Sequence, residues 1–252
     1  MPDSTANLAV LIDADNSRPA AIDALLDEAA KYGTASVKRV YGDWTTDQLK
    51  GWKKVLPEHA IQPIQQFANT KGKNATDSAM IIDAMDLLYT GRFDGFCLVT
   101  SDSDFTRLAS RIRENGVMVY GFGERKTPSP FVKSCDRFVY VDALIANVPS
   151  GKAAKSKAPT AAKPSPEGDE GIKRFKGNSG LIKALRKAIA DLSDEDGWAS
   201  LGPVGSQVQA AHSDFDPRNY GFAKLSDLLH AVDLFEVKKR DKSVQIRDSK
   251  AK

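Results

Sequence analysis

The chain has 252 residues, with 36 Lys and Arg against 33 Asp and Glu, and 41% of its residues are apolar. That apolar share supports a packed core and excludes a wholly disordered chain, and the length suits one medium domain plus a small one. The longest apolar runs, such as Leu8–Ile12 and Phe96–Val99, are too short to span a membrane. Residues 1–7 hold an acid and no basic stretch, so a chain without a secretory leader is expected, in a reducing, cytoplasmic setting. The two cysteines, Cys97 and Cys135, cannot build a disulfide framework or a Cys-rich zinc site, and the three histidines lie far apart. Any metal site must therefore be built from oxygens.

In the first 150 residues, apolar strands alternate with helical patterns. Strands are predicted at Leu8–Ile12, Ser36–Tyr41, Ala60–Ile64, Phe96–Thr100, Val117–Tyr120 and Phe138–Val141. Helices are predicted at Pro19–Lys31, Thr46–Val55, Thr76–Leu88, Asp104–Glu114 and Pro130–Cys135. Such alternation implies crossover units and a mostly parallel, doubly wound sheet, with strand order 3-2-1-4-5 as the default.

The net charge is −2 over residues 1–150, +4 over 151–178 and +1 over 179–252. The middle block holds three prolines and only two large apolar residues, Ile172 and Phe175. It reads as a flexible basic linker between a domain at 1–150 and another at 179–252. In the last block, helices are predicted at Ser179–Leu192, Val204–Ala211 and Gly221–Ala231, then strands at Phe235–Lys239 and Val244–Ile246. Three helices and a β-wing make a winged-helix arrangement. Trp198, Tyr220, Phe222, Leu225 and Leu228 are its expected small core.

The acids then fall into a pattern. Asp13 and Asp15 follow the first strand, Asp102 and Asp104 follow the fourth, and Asp77 opens the helix leading into the fourth. In a 3-2-1-4-5 sheet the first and fourth strands are neighbours, and their carboxyl ends form the crevice where such sheets bind ligands. Carboxylates gathered there need a cation, and an all-oxygen donor set suits Mg²⁺ or Mn²⁺. Each acid also has an ordinary reading. Asp77 suits a helix's first turn, Ser101 and Asp104 suit a capping pair, and Asp15 and Asn16 suit a turn.

The stretches LAVLIDADN, TKGKNATDSAMIIDAMDLLYTGRFDGFCLVTSDSDF and GVMVYGFGERKTPSPFVKSCDRFVYVD resemble the NYN domain, a PIN-like ribonuclease fold, in its bacterial LabA-like branch. The resemblance covers about residues 6–147, with the three blocks in order. It implies an α/β, Rossmann-like parallel-sheet domain and a metal-dependent endonuclease that hydrolyses phosphodiester bonds in RNA. The family's acidic positions fall on Asp13, Asp77, Asp102 and Asp104, and its Asn on Asn16. Asp13, Asp77 and Asp102 would bind one or two Mg²⁺ or Mn²⁺ ions. Asp104 would hold a second ion or orient the water, and Asn16 would hydrogen-bond the metal water or the scissile phosphate. Lys71 and Lys73 would contact the RNA backbone or be ordinary loop charges. Asp83 and Asp86 lie about 100° or more around the helix from Asp77 and are left out.

In the last block, GWASLGPVGSQV and NYGFAKLSDLLHAVDLFEV resemble the OST-HTH, or LOTUS, domain over about 179–248. This resemblance implies a small α+β module that binds RNA, or a protein partner in some relatives. Lys224, Lys238, Lys239, Arg240 and Lys242 are the basic candidates, with a solvated charged edge as the plain alternative. Three function classes follow. The first is a two-domain RNA endonuclease whose tethered module captures RNA. The second is a non-catalytic RNA-binding or regulatory adaptor that keeps the acidic cluster. The third is a phosphatase of the haloacid dehalogenase type, prompted by the Asp-x-Asp after strand one. It is disfavoured because Ser17 stands where those enzymes usually place Thr or Val. A dinucleotide-cofactor enzyme is disfavoured because strand one ends in acids, not in a glycine fingerprint. With a net charge of −2 on the first domain, substrate grip falls to the tail or to self-association as a homo-oligomer.

Overall fold

A computed structural model gives the fold; it describes residues 5–67, 75–146, 166–240 and 243–249. The chain divides into two compact units, residues 1–148 and 149–252.

In the first unit, β1 (Asn7–Asp13) is apolar from Leu8 to Ile12, and all five of those residues are buried. A strand covered on both faces has no polar side, which is why the run is continuous rather than alternating. Leu8, Val10 and Ile12 pack with α1 (Ile22–Ala29) and α2 (Trp52–Glu58). Ala9 and Leu11 pack on the other side with α3 (Ala75–Tyr89) and α4 (Thr106–Glu114). The remaining strands are β2 (Thr34–Gly42), β3 (Gln62–Gln65), β4 (Gly95–Val99), β5 (Met118–Gly123) and β6 (Arg137–Tyr140). The sheet order is β3-β2-β1-β4-β5-β6 and every pairing is parallel. The expected 3-2-1-4-5 order is thus present, extended by β6. The chain runs outward from β1 in one direction and from β4 in the other. Their carboxyl ends therefore flank a crevice at the switch point.

Several boundaries differ from the sequence expectation. The helices expected at Pro19, Thr46 and Asp104 each begin as a 3-10 turn, over Pro19–Ala21, Asp47–Gly51 and Ser103–Phe105. The third strand starts at Gln62 rather than Ala60. Ala60 has a φ of +49° and closes the turn after α2, with its N–H on the Pro57 carbonyl. A short helix, α5 (Ser129–Ser134), follows β5, and another, α6 (Val141–Ala146), follows β6 and begins at Val141, expected to end a strand. Gly33 has no substitute: a Cβ there would lie 2.2 Å from the Ala6 carbonyl oxygen, where the chain turns into β2. No helix among the described residues is long and apolar enough to cross a membrane.

The second unit holds α7 (Pro166–Gly177), α8 (Ser179–Leu192), β7 (Ala199–Ser200), α9 (Leu201–Ala211), α10 (Leu225–Val232), β8 (Phe235–Arg240) and β9 (Ser243–Asp248). The strands form an antiparallel sheet in the order β7-β9-β8. Asn178 caps α8, its side-chain oxygen accepting from the Leu181 N–H at 3.1 Å. Leu181, Leu185, Val204, Leu228 and Ile246 form the core. Tyr220, Phe222 and Leu225 pack against it as expected, but Trp198 does not belong to it.

The stretch read as linker, 151–178, ends in helix. The two apolar residues noted there, Ile172 and Phe175, stand three apart, so one helical face carries both. Phe175 is fully buried and meets the Tyr220 ring edge-on at 5.4 Å. Arg174 donates to the Asn219 carbonyl at 2.9 Å. A Cβ on Gly171 would lie 1.9 Å from the Tyr220 carbonyl oxygen, so only glycine lets α7 approach this close. Average composition hides such a pattern, because two well-placed apolar residues anchor a helix that the surrounding lysines and prolines do not advertise. Phe175→Ala is expected to cost about 3–5 kcal/mol of the second unit's stability. Urea melts of the full chain followed by second-unit signals would show the earlier transition, with the first unit's transition unmoved.

Candidate metal centre

The crevice is organised by Asp13, the last residue of β1, which is 1% exposed. A buried carboxylate is strongly disfavoured unless its lone pairs are filled. Here Oδ1 accepts from the backbone N–H groups of Asp15 at 3.0 Å and Asn16 at 3.3 Å. Oδ2 accepts from Asn16 Nδ2 at 2.9 Å and from the Thr100 hydroxyl at 2.8 Å. Four donors thus meet one acid. Thr100, fully buried just past β4, also accepts from the Asp102 N–H at 3.1 Å. One hydroxyl therefore joins the acid after strand one to the acid after strand four.

Asp77, Asp102 and Asp104 converge: each offers a carboxylate oxygen, and these atoms lie within 4.8 Å of one another. Asp77 comes from the first turn of α3. Asp102 caps the 3-10 turn at Ser103, accepting from the Asp104 N–H at 2.9 Å. Asp77 is half-buried, and its pKa is pushed up to about 6, first by loss of water and then by the charges of Asp13, Asp102, Asp104 and Asp15. Asp15 is also raised, by desolvation and by Asp13, while a hydrogen bond with Thr76 partly offsets the rise. That bond ties the loop after β1 to the start of α3. Three hard oxygen donors without histidine or cysteine suit a divalent ion of the Mg²⁺ or Mn²⁺ type. Asp13 lies close enough to act on Asp77 by charge, but it is not one of the three converging acids, and its own lone pairs are filled.

The other candidates separate. Asn16 sits beside the centre, held by Asp13. Ser101 does not cap the following helix; its hydroxyl accepts from the Glu124 N–H at 2.9 Å, joining the loops after β4 and β5. Asp83 points away from the centre, to Arg39 and the Tyr41 hydroxyl, and so fastens α3 to β2. Two contributors escaped the sequence reading. Thr100 looked like an ordinary strand residue, its only signal being its place directly before Ser101–Asp104. Asp83 showed no partner until β2 was set beside α3. Lys71, Lys73 and Lys242 lie outside the described residues. In the second unit Lys224 is exposed at the start of α10, and Lys238 and Lys239 are exposed on β8. Successive strand residues face opposite ways, so these two do not make one patch. Lys238 and Arg247 both sit over the Trp198 ring, at 5.5 and 4.8 Å from its centre, and Arg247 also pairs with Glu236 at 2.6 Å. Arg240 ends β8 opposite Ser243.

The raised Asp77 pKa has a stability consequence with a definite sign. The folded value of about 6 exceeds the ordinary carboxylate value of 3.8, so the metal-free fold loses stability progressively as pH rises from 3.8 through 6. The loss is relieved as pH falls through 6. Asp77→Asn is expected to raise Tm at pH 8 in EDTA and to raise it by less at pH 5. Mg²⁺ or Mn²⁺ should raise the wild-type Tm at pH 8 and have little effect on the variant. Thermal melts at both pH values, with and without metal, check this.

The NYN domain family model matches residues 7–142, and the OST-HTH/LOTUS domain model matches residues 176–247. Among solved structures, a Vibrio parahaemolyticus protein of unknown function is 18% identical over 56% of this chain and 96% of its own, with a TM-score of 0.48. An uncharacterised Nitrosomonas europaea protein, solved by NMR, is 29% identical over 41% of this chain and 91% of its own, with a TM-score of 0.26. No curated protein matches the chain. With its parallel sheet and the acids at the sheet's carboxyl edge both inside the matched span, the chain belongs to the NYN domain family and carries an OST-HTH/LOTUS domain behind it.

Proposed function

We propose that this protein is a metal-dependent RNA endonuclease. The observation that carries the reading is the convergence of Asp77, Asp102 and Asp104 at the switch point of an NYN sheet, with Asp77 pushed toward neutrality by burial and then by the charges beside it. A site that repels its own charges is poised for a cation. When bound, a divalent ion supplies Lewis-acid polarisation of a phosphodiester and a water acidic enough to attack it.

In this reading, Asp77, Asp102 and Asp104 hold the ion. Asp13 acts one layer back. It fixes Asn16 and Thr100, and through Thr100 the backbone that presents Asp102. Asn16 spends one side-chain N–H on Asp13 and keeps a second N–H and a carbonyl oxygen for a phosphate or a water. The OST-HTH/LOTUS domain supplies RNA capture, and tethering raises the local RNA concentration at the crevice. The basic candidates there are Lys224, Lys238, Lys239 and Arg240, with Lys71 and Lys73 assigned to the first domain.

The test is cleavage of labelled single-stranded RNA in Mg²⁺, Mn²⁺ or EDTA by wild type and Asp102→Asn. Cleavage is expected only with metal, and the variant should lose about 10²–10³-fold in rate. Cleavage equal in the variant sinks the assignment. RNA binding without cleavage under every metal condition would make the chain an adaptor that retains the acidic cluster.

A further inference from the structure

The acid centre is anionic and its RNA substrate is a polyanion, so a strand crossing it needs a cationic or stacking hold nearby. The described residues offer one. A groove of about 540 Å³ opens beside the edge strand β3, lined by Trp44, Lys53, Leu56, Pro63 and Gln65 among others. Trp44 lies two residues beyond β2, so its loop is one strand spacing, about 5 Å, from the loop that carries Asp15 and Asn16.

The indole is held in place. Its Nε1–H donates to the Ile64 carbonyl at 2.9 Å, its backbone N–H donates to Gln65 Oε1 at 3.0 Å, and the ring packs against the core layer of α1 and α2. Gln65 Nε2 in turn donates to Asp43 at 3.0 Å. Asp43 acts by charge on Asp15, and Asp15 bonds Thr76, the neighbour of Asp77. The loops that carry Trp44 and Asp15 thus leave neighbouring strands at the same edge of the sheet. Lys53 is exposed at the groove and makes no ion pair among the described residues, whereas Lys50 nearby is paired with Asp47 at 2.9 Å. Phe67, two residues past β3 on the same edge, is 58% exposed. A peptide adding itself to β3 is disfavoured by Pro63 in that strand. An immobilised aromatic ring, apolar walls and an unpaired ammonium are what an unpaired nucleobase and its phosphate require.

We propose that this groove is a nucleobase subsite. Trp44 stacks a base of single-stranded RNA next to the scissile phosphate, and Lys53 contacts the adjoining phosphate. The proposal rests on the reading of the acid centre as an RNA-cleaving site, and it makes single-stranded RNA the substrate class.

The test uses the full chain, a short oligouridylate carrying 5-iodouridine, and Ca²⁺ in place of Mg²⁺. After irradiation, crosslinked peptides are mapped by mass. A crosslink at Trp44 is expected, with Lys53→Glu raising the half-saturating RNA concentration about tenfold or somewhat less. Trp44→Ala should weaken binding about tenfold, and Trp44→Phe should retain most of it. Because Lys53 is exposed, its variant reads the groove even if Trp44→Ala fails to fold. Crosslinks confined to Trp198, or absent, overturn the proposal, as does an unchanged titration for Lys53→Glu. A Trp44 crosslink in a protein that never cleaves RNA would keep the groove and sink the nuclease. Metal-dependent cleavage without that crosslink would do the reverse.

Discussion

A carboxylate with 1% exposure has to be surrounded by donors, and Asp13 is surrounded by four. Two are backbone N–H groups that curl the chain after β1. One is Asn16, and one is the hydroxyl of Thr100 from the neighbouring β4. Satisfying one buried charge therefore sets the shape of both loops at the switch point. The converging acids are arranged around that fixed charge, and its field is part of what raises Asp77. Removing Asp13 would release the loops and the field together, so its effect on activity would not identify it as a metal ligand.

The second constraint is mechanical. Asp77 rides on the first turn of α3, and a helix turned by a fraction of a turn would carry it away from Asp102 and Asp104. Asp83, on the same helix, is held by Arg39 and Tyr41 of β2, and burial with Asp83 beside it pushes the Tyr41 phenol pKa well upward. Asp15 and Thr76 hold the helix start. Helix α3 is thus pinned at two points along its length to the strands that flank the crevice. The acids repel one another in the absence of a cation, and these contacts keep them together against that repulsion.

The two units show different degrees of legibility. In the first, a buried parallel strand writes itself as an apolar run and an edge acid as the residue after it, so strand order and the acidic edge were readable. In the second, the three helices and the two wing strands were readable, but α7 was not. Its anchoring depends on Gly171 against Tyr220 and on Phe175 in a pocket built by residues some 45 positions later. Trp198 shows the converse. An aromatic residue in a small domain reads as core, yet it lies under Lys238 and Arg247 instead.

By itself the sequence determined the fold class, the order of the central strands and the set of acids at the carboxyl edge. Periodicity and strand-end position are local properties, and a doubly wound sheet converts them into adjacency by rule. Tertiary structure decided how those acids divide. Asp77, Asp102 and Asp104 turn their oxygens toward one another, while Asp13 is filled by its own loop and by Thr100. It also decided that Asp83 belongs to Arg39 and Tyr41, and that Trp44 lines a groove beside β3. Hydrogen-bond saturation and side-chain direction depend on partners far away in the chain, and no local pattern encodes them.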